Sequence, residues 1–139
     1  MVVNFMVEGK PQGKARARTV RNKYTGKVHS FTPEKTQCYE DLVRWCYREA
    51  GGILFTGPVE VKVSARIKIP TSFTKKEKNA AILGTKYPEK KPDCDNILKV
   101  IMDALNGIAY TDDKQVVSVS CDKRYVINES HVFVTIYDL

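Results

Sequence analysis

The sequence predicts an α+β domain in which two main helices pack on one mixed β-sheet. Three observations lead there: alternating apolar residues in four segments, helical spacing in two others, and the order strand, helix, strand, helix, strand, strand. With 139 residues, 42% of them hydrophobic and 28% charged, the chain suits one hydrophobic core. Residues 1–139 are therefore read as a single domain. No internal repeat or low-complexity stretch divides it.

Val3, Phe5 and Val7 alternate with Val2, Asn4 and Met6 in a first strand. Beyond it the chain is rich in Gly, Lys, Arg and Asn, which predicts a long loop or a loose hairpin turning through Tyr24-Thr25-Gly26. Thr32-Pro33-Glu34 supplies a capping hydroxyl, a first-turn proline and a carboxylate near the positive end of a helix dipole. Cys38, Leu42, Trp45, Cys46 and Glu49 follow at three- and four-residue steps, and Gly51-Gly52 ends that helix. Val59, Val61, Val63, Ala65, Ile67 and Ile69 alternate with polar residues in a half-buried strand that Pro70 stops. Residues 71–92 are polar and lysine-rich, with a short helix expected over Lys75–Leu83. A second strong helix is predicted for residues 93–106, with Gly107 near its end. Strands over residues 116–126 and 132–137 close the chain.

Charge is segregated along this frame. The net charge is +7. Residues 9–31 hold Lys10, Lys14, Arg16, Arg18, Arg21, Lys23 and Lys27 with no Asp or Glu, and residues 66–91 hold eight Lys or Arg against Glu77 and Glu89. Acidic residues gather just beyond the second basic stretch. No apolar run approaches the about 20 residues needed to cross a bilayer. The first seven residues also lack the basic start and cleavage site of a signal peptide, so a cytoplasmic protein is expected. Cys38, Cys46, Cys94 and Cys121 show no CxxC spacing, and His29 and His131 complete no zinc set. They are read as reduced thiols.

The segment with chemical content runs Lys91-Pro92-Asp93-Cys94-Asp95-Asn96-Ile97-Leu98-Lys99 through Asp103, followed by Tyr110-Thr111-Asp112-Asp113. At 100° per residue, Ile97, Val100, Ile101, Ala104, Leu105 and Ile108 form one apolar stripe that must face the sheet. Asp95, Lys99 and Asp103 then line the opposite side. Asp93 falls off that row; Pro92 disfavours helix before it, which puts Asp93 at the helix mouth. Three converging carboxylates raise one another's pKa unless a cation lies among them, and oxygen-only ligands favour Mg²⁺ or Mn²⁺ over zinc. Basic surface around such a centre is what a phosphodiesterase requires. The same residues also have plainer readings: Asp93 as an N-cap, Asp95 with Lys99 as an exposed i,i+4 pair, and Asp112-Asp113 as turn residues.

These motifs resemble the RusA-type Holliday junction resolvases of bacteria and their phages. The resemblance rests on Pro92-Asp93-Cys94-Asp95-Asn96-Ile97-Leu98-Lys99, on Asp103-Ala104-Leu105-Asn106-Gly107, and on Asp112-Asp113 with Gln115-Val116-Val117. These are similar to the family's D-x-D-N-L-x-K, D-A-L and D-D-x-Q-V motifs. Gly9-Lys10-Pro11 with Lys14 and Arg16 also resembles its N-terminal region. Cys94 departs from the usual aliphatic residue and Ile97 from the usual leucine; neither touches the chemistry.

The resemblance implies a homodimeric endodeoxyribonuclease that binds four-way junction DNA and makes paired nicks with Mg²⁺, needing no small-molecule cofactor. It places the essential carboxylates on Asp93, Asp95 and Asp113 as metal ligands, and the essential lysine on Lys99. Asp103 and Asp112 occupy matching acidic positions. The DNA contacts expected from the basic segments are Lys10, Lys14, Arg16, Arg18, Arg21, Lys75, Lys76, Lys90 and Lys91, with Lys78 beside them. Two other readings stand beside this one: a junction-binding relative without catalysis, and a nuclease of the same chemistry acting on flaps or RNA.

Overall fold

A computed structural model describes residues 1–15, 18–31 and 33–139. Strand β1 (Val2–Glu8) leads through a basic segment to a small hairpin, β2 (Arg18–Arg21) and β3 (Val28–Phe31), and then to helix α1 (Glu34–Glu49). Strand β4 (Val59–Lys68) is followed by two helices, α2 (Lys75–Leu83) and α3 (Cys94–Leu105). A 3₁₀ turn (Asp113–Gln115) then feeds β5 (Val116–Val126), and β6 (His131–Asp138) ends the chain.

The main sheet has the order β1-β6-β4-β5. β6 pairs antiparallel with both β1 and β4, while β4 and β5 run parallel. A parallel pair cannot be joined by a tight turn, so the chain between them must cross over; α2 and α3 are that connection. Thus the sheet is mixed, as expected. Val3, Phe5, Val7, Val59, Val61, Val63, Val132, Val134 and Ile136 all point into one buried cluster with the apolar faces of α1 and α3. The alternation in β1 and β4 follows from this: one face is covered and the other is wet.

The segment expected as a loop or hairpin is a hairpin. Asn22 holds its turn: the side-chain oxygen accepts from the backbone N–H of Tyr24 (2.8 Å) and Thr25 (3.1 Å), and Gly26 takes a positive φ of 71°. The short helix over Lys75–Leu83 is also present. Thr74 and Glu77 cap each other's backbone N–H groups at 3.2 and 3.1 Å, and Gly84 closes the helix in the left-handed region.

Helix α1 buries a different stripe from the one its spacing suggested. Tyr39, Val43 and Tyr47 face the core with Thr36 and Glu40, whereas Leu42 and Trp45 are outward, Trp45 being 60% exposed. Cys38 is exposed as well, and only Cys46 packs against the core from the expected set. Two apolar stripes run along this helix, and the sheet takes the one carrying the tyrosines. Pro33 occupies the N-cap position without a side-chain bond, and Thr32 lies outside the described residues. Ile108, expected on the α3 stripe, sits past the helix end and is half-buried. All four cysteines are free thiols. Among the described residues no helix is long and apolar enough to cross a membrane.

Candidate active site

Helix α3 organises the site. Ile97, Val100, Ile101, Ala104 and Leu105 are all fully buried, which fixes the rotation of the helix. Asp95 and Lys99 are consequently exposed on the far side and Asp103 is half-buried there. Four-residue steps at 1.5 Å per residue space this row so that Asp95 and Asp103 stand about 12 Å apart along the axis.

Asp93 occupies the N-cap position with extended backbone, φ −74° and ψ 154°, yet its carboxylate caps no N–H. Only its main-chain carbonyl joins the helix, accepting from Ile97 N–H at 3.0 Å. The capping explanation for this carboxylate is thus not realised. Nor is the i,i+4 explanation for its neighbour: neither Asp95 nor Lys99 enters any ion pair formed among the described residues.

The Asp112-Asp113-Lys114-Gln115 segment divides its labour. Asp112 accepts from Lys114 N–H at 3.0 Å and caps the 3₁₀ turn. Gln115 reaches back to the N–H groups of Thr111 (2.8 Å) and Asp112 (3.3 Å) with its oxygen. Its nitrogen donates to the carbonyls of Phe55 (3.0 Å) and Gly57 (3.1 Å). Asp112 and Gln115 therefore hold the turn, and Asp113 is left exposed beside α3. A hydrogen bond with the Asp112 carboxyl raises the Asp113 pKa from its ordinary value; desolvation and the charges of Asp112 and Asp103 add to this, and Lys99 opposes it. The Lys114 N–H, in turn, lowers the pKa of Asp112. Asp113 thus stands within electrostatic reach of both Lys99 and Asp103.

A strap from the N-terminal segment reinforces the same row. Lys14 N–H donates to Asn96 O at 3.2 Å. Its ammonium lies 3.1 Å from Glu40 Oε1 and 3.3 Å from Asp103 Oδ2. Glu40 is only 5% exposed, on the buried side of α1. Gly13 makes the close approach possible, because a Cβ there would come within 3.1 Å of both Asn96 Cβ and Pro92 Cβ. Sequence reasoning missed Glu40, one of an adjacent Glu40-Asp41 pair on a helix, and Gln115 as a tie; only the fold brings their partners to them.

Comparison with known proteins decides what this arrangement belongs to. The family model for endodeoxyribonuclease RusA matches residues 8–137. The chain belongs to the RusA endodeoxyribonuclease family. It is also similar to the Bacillus subtilis (strain 168) protein described as uncharacterized protein YqaN, 36% identical over 127 residues that cover 88% of this chain and 87% of the relative. The RusA-family assignment makes the protein a hydrolase, an endodeoxyribonuclease of the Holliday junction resolvase class that binds junction DNA.

Within this RusA-family protein Asp113 lies within electrostatic reach of Lys99 and Asp103, and Asp93 and Asp95 stand at the entrance of the same helix. It does not gather Asp93, Asp95 and Asp113 into one cluster: among the described residues no three His, Cys, Asp or Glu side chains stand close enough together to hold a metal. The donor set itself, carboxylate oxygen without Cys or His, fits a hard divalent cation. Cys94 faces Cys121 on β5, whose thiol pKa is pushed up to about 12, chiefly by burial and then by Cys94 itself.

The basic residues fall in three places. Lys75, Lys76 and Lys78 are exposed at the start of α2, Lys10, Lys90 and Lys91 are exposed around the approach to α3, and Arg21 is on the hairpin. Lys14 is the exception, being half-buried in its pair of ion bridges. Arg16 and the Arg18 side chain lie outside the described residues.

Proposed function

We propose that the protein is a Mg²⁺-dependent Holliday junction endonuclease acting as a homodimer that makes paired symmetric nicks. Asp93, Asp95 and Asp113 would hold the metal, with Mn²⁺ able to substitute. When bound, such a cation neutralises charge at the scissile phosphate and lowers the pKa of a water. The observation that carries the reading is the entrance of α3: the Asp93 carboxylate caps no N–H, and Asp95 and Lys99 on the outward row enter no ion pair among the described residues.

The chain's own residues supply the rest. Lys99 approaches the non-bridging oxygens and offsets the charge that grows on phosphorus. The Asp112–Gln115 capping box fixes the turn that carries Asp113. Addition of the water oxygen in line with the P–O3′ bond breaks that bond and leaves 5′-phosphate and 3′-hydroxyl ends. Two such sites related by a two-fold axis match the symmetry of a four-way junction, which is the physical motive for a dimer. Exposed Lys10, Lys75, Lys76, Lys90 and Lys91 track backbone phosphates.

Asp95→Asn tests the reading. Cleavage of a synthetic four-way junction should fall at least about a hundredfold, several kcal/mol of metal chemistry being lost. Junction affinity in an electrophoretic shift assay should stay within a factor of about two. Undiminished cutting would remove Asp95 from the mechanism.

A further inference from the structure

A cavity of about 1070 Å³ opens beside the start of α3, between the turn after β5 and the chain that leads into Asp93. We propose that it binds an unpaired stretch of the DNA strand, a few nucleotides in single file, next to the cut site. The inference rests on the nuclease reading above and adds a strand-binding subsite to it.

Three features select that occupant. The first is chemistry: exposed Lys10, Lys90 and Lys91 stand on the rim, while Ile67, Pro88 and the Tyr125 ring form an apolar lining. Cations for the backbone over an aromatic and apolar floor for the bases is how single strands are bound without regard to sequence. Size is the second. The volume lies just above the about 300–1,000 Å³ of cavities that take one compact organic molecule, and a duplex is far too large to enter. The third is continuity, because Pro92, which lines the cavity, directly precedes Asp93. A strand whose phosphate lies at Asp93 can therefore continue into it. Of the two carboxylates in the lining, Glu129 is already held by Lys68 at 2.8 Å, so the lysines of the rim are not spent on it.

The far wall suggests what the subsite reads. Asn128, Glu129 and Ser130 line the cavity from the turn between β5 and β6; Lys68 engages the Glu129 carboxylate and the Ser130 hydroxyl, both at 2.8 Å, and Asn128 presents its exposed amide. Unstacked bases expose their hydrogen-bonding edges to groups of this kind, so this turn is the place where a preference for particular bases near the nick would arise.

Two measurements test the proposal, both in EDTA so that catalysis is absent. The double variant Lys90→Gln/Lys91→Gln should lose at least about fivefold more affinity for a fluorescent eight-nucleotide oligothymidine than for a continuous duplex of equal length. Equal losses on the two probes would overturn it. The second places an aryl azide on Asn128→Cys, an exposed turn position, in a Cys38→Ser background, and irradiates the complex with a four-way junction. Crosslinks should fall on nucleotides within a few positions of the exchange point. Crosslinks confined to the duplex arms, or none, would overturn the subsite. So would crosslinking to a second protein chain, which would make the cavity a protein interface. Asp95→Asn separates the two readings: if it abolishes cleavage while these tests fail, the nuclease reading stands and the subsite does not.

Discussion

Lys14 shows how much one side chain does here. Its ammonium is shared between Glu40 and Asp103, and its backbone N–H is tied to Asn96, so a single residue joins the N-terminal segment to α1 and α3. Removing it leaves a buried carboxylate uncompensated, which costs far more than the pair contributes. Lys14→Met should therefore lower stability by about 3 kcal/mol, measured by urea denaturation. Lys14→Met/Glu40→Leu should recover most of that, because no buried charge then remains. A Lys14→Met midpoint equal to that of the parent would show that the Lys14–Glu40 pair carries no stability. From the sequence Lys14 is one cation in a basic run, indistinguishable from Lys10 or Arg16. Nothing local signals that two acidic partners, 26 and 89 residues away, are waiting. Asp112 and Asp113 are alike in sequence too; only the hydrogen bonds of Lys114 and Gln115 make one of them the cap and leave the other outside it.

At the level of elements, the apolar spacing of β4 and α3 was sufficient, because each carries one unbroken apolar face and one polar face. Helix α1 was not legible in that way. Its sequence holds Tyr39, Val43 and Tyr47 on one side and Leu42 and Trp45 on another, and periodicity cannot choose between two apolar stripes. The choice is made by packing: the Tyr47 ring meets Phe5 of β1 edge-on, with centroids 5.5 Å apart, and its hydroxyl joins the backbone of Ile53. The expected contrast is direct. Val43→Ala should cost about 2 kcal/mol, since Val43 is fully buried, whereas Trp45→Ala should stay within about 0.5 kcal/mol. Chemical denaturation of both variants checks this, and a reversed order would contradict the assigned helix face. The hairpin of β2 and β3 was only half legible, because Asn22 and Gly26 define the turn while its short strands carry little alternation.

For the whole molecule, the fold explains why the site is where it is. The parallel pairing of β4 with β5 demands a crossover, and α3, as its last segment, must return along the sheet with its apolar face inward. The segment after it carries Asp113 into electrostatic reach of Lys99 and Asp103 just before β5 begins. The order of the elements was legible in the sequence, because each motif lies on a segment with a clear apolar pattern; the arrangement of the three carboxylates was not, since it depends on how the 3₁₀ turn seats against α3. The charge pattern also acts at this scale. If exposed Lys75 and Lys76 neutralise phosphates, Lys75→Gln/Lys76→Gln should lower the slope of log affinity against log salt by roughly 0.9 for each phosphate no longer neutralised. Junction binding between about 50 and 200 mM salt measures it, and an unchanged slope would place α2 off the DNA.

A hard cation held among Asp93, Asp95 and Asp113 is what would make this fold a junction endonuclease. Incubating the protein with a mobile synthetic four-way junction, in EDTA and in Mg²⁺, tests that without intermediaries. No cutting is expected in EDTA, and Mg²⁺ should give nicks at symmetric positions on two opposed strands. Cutting that persists in EDTA, or an intact junction in Mg²⁺ and Mn²⁺ alike, would rule out the metal-dependent site.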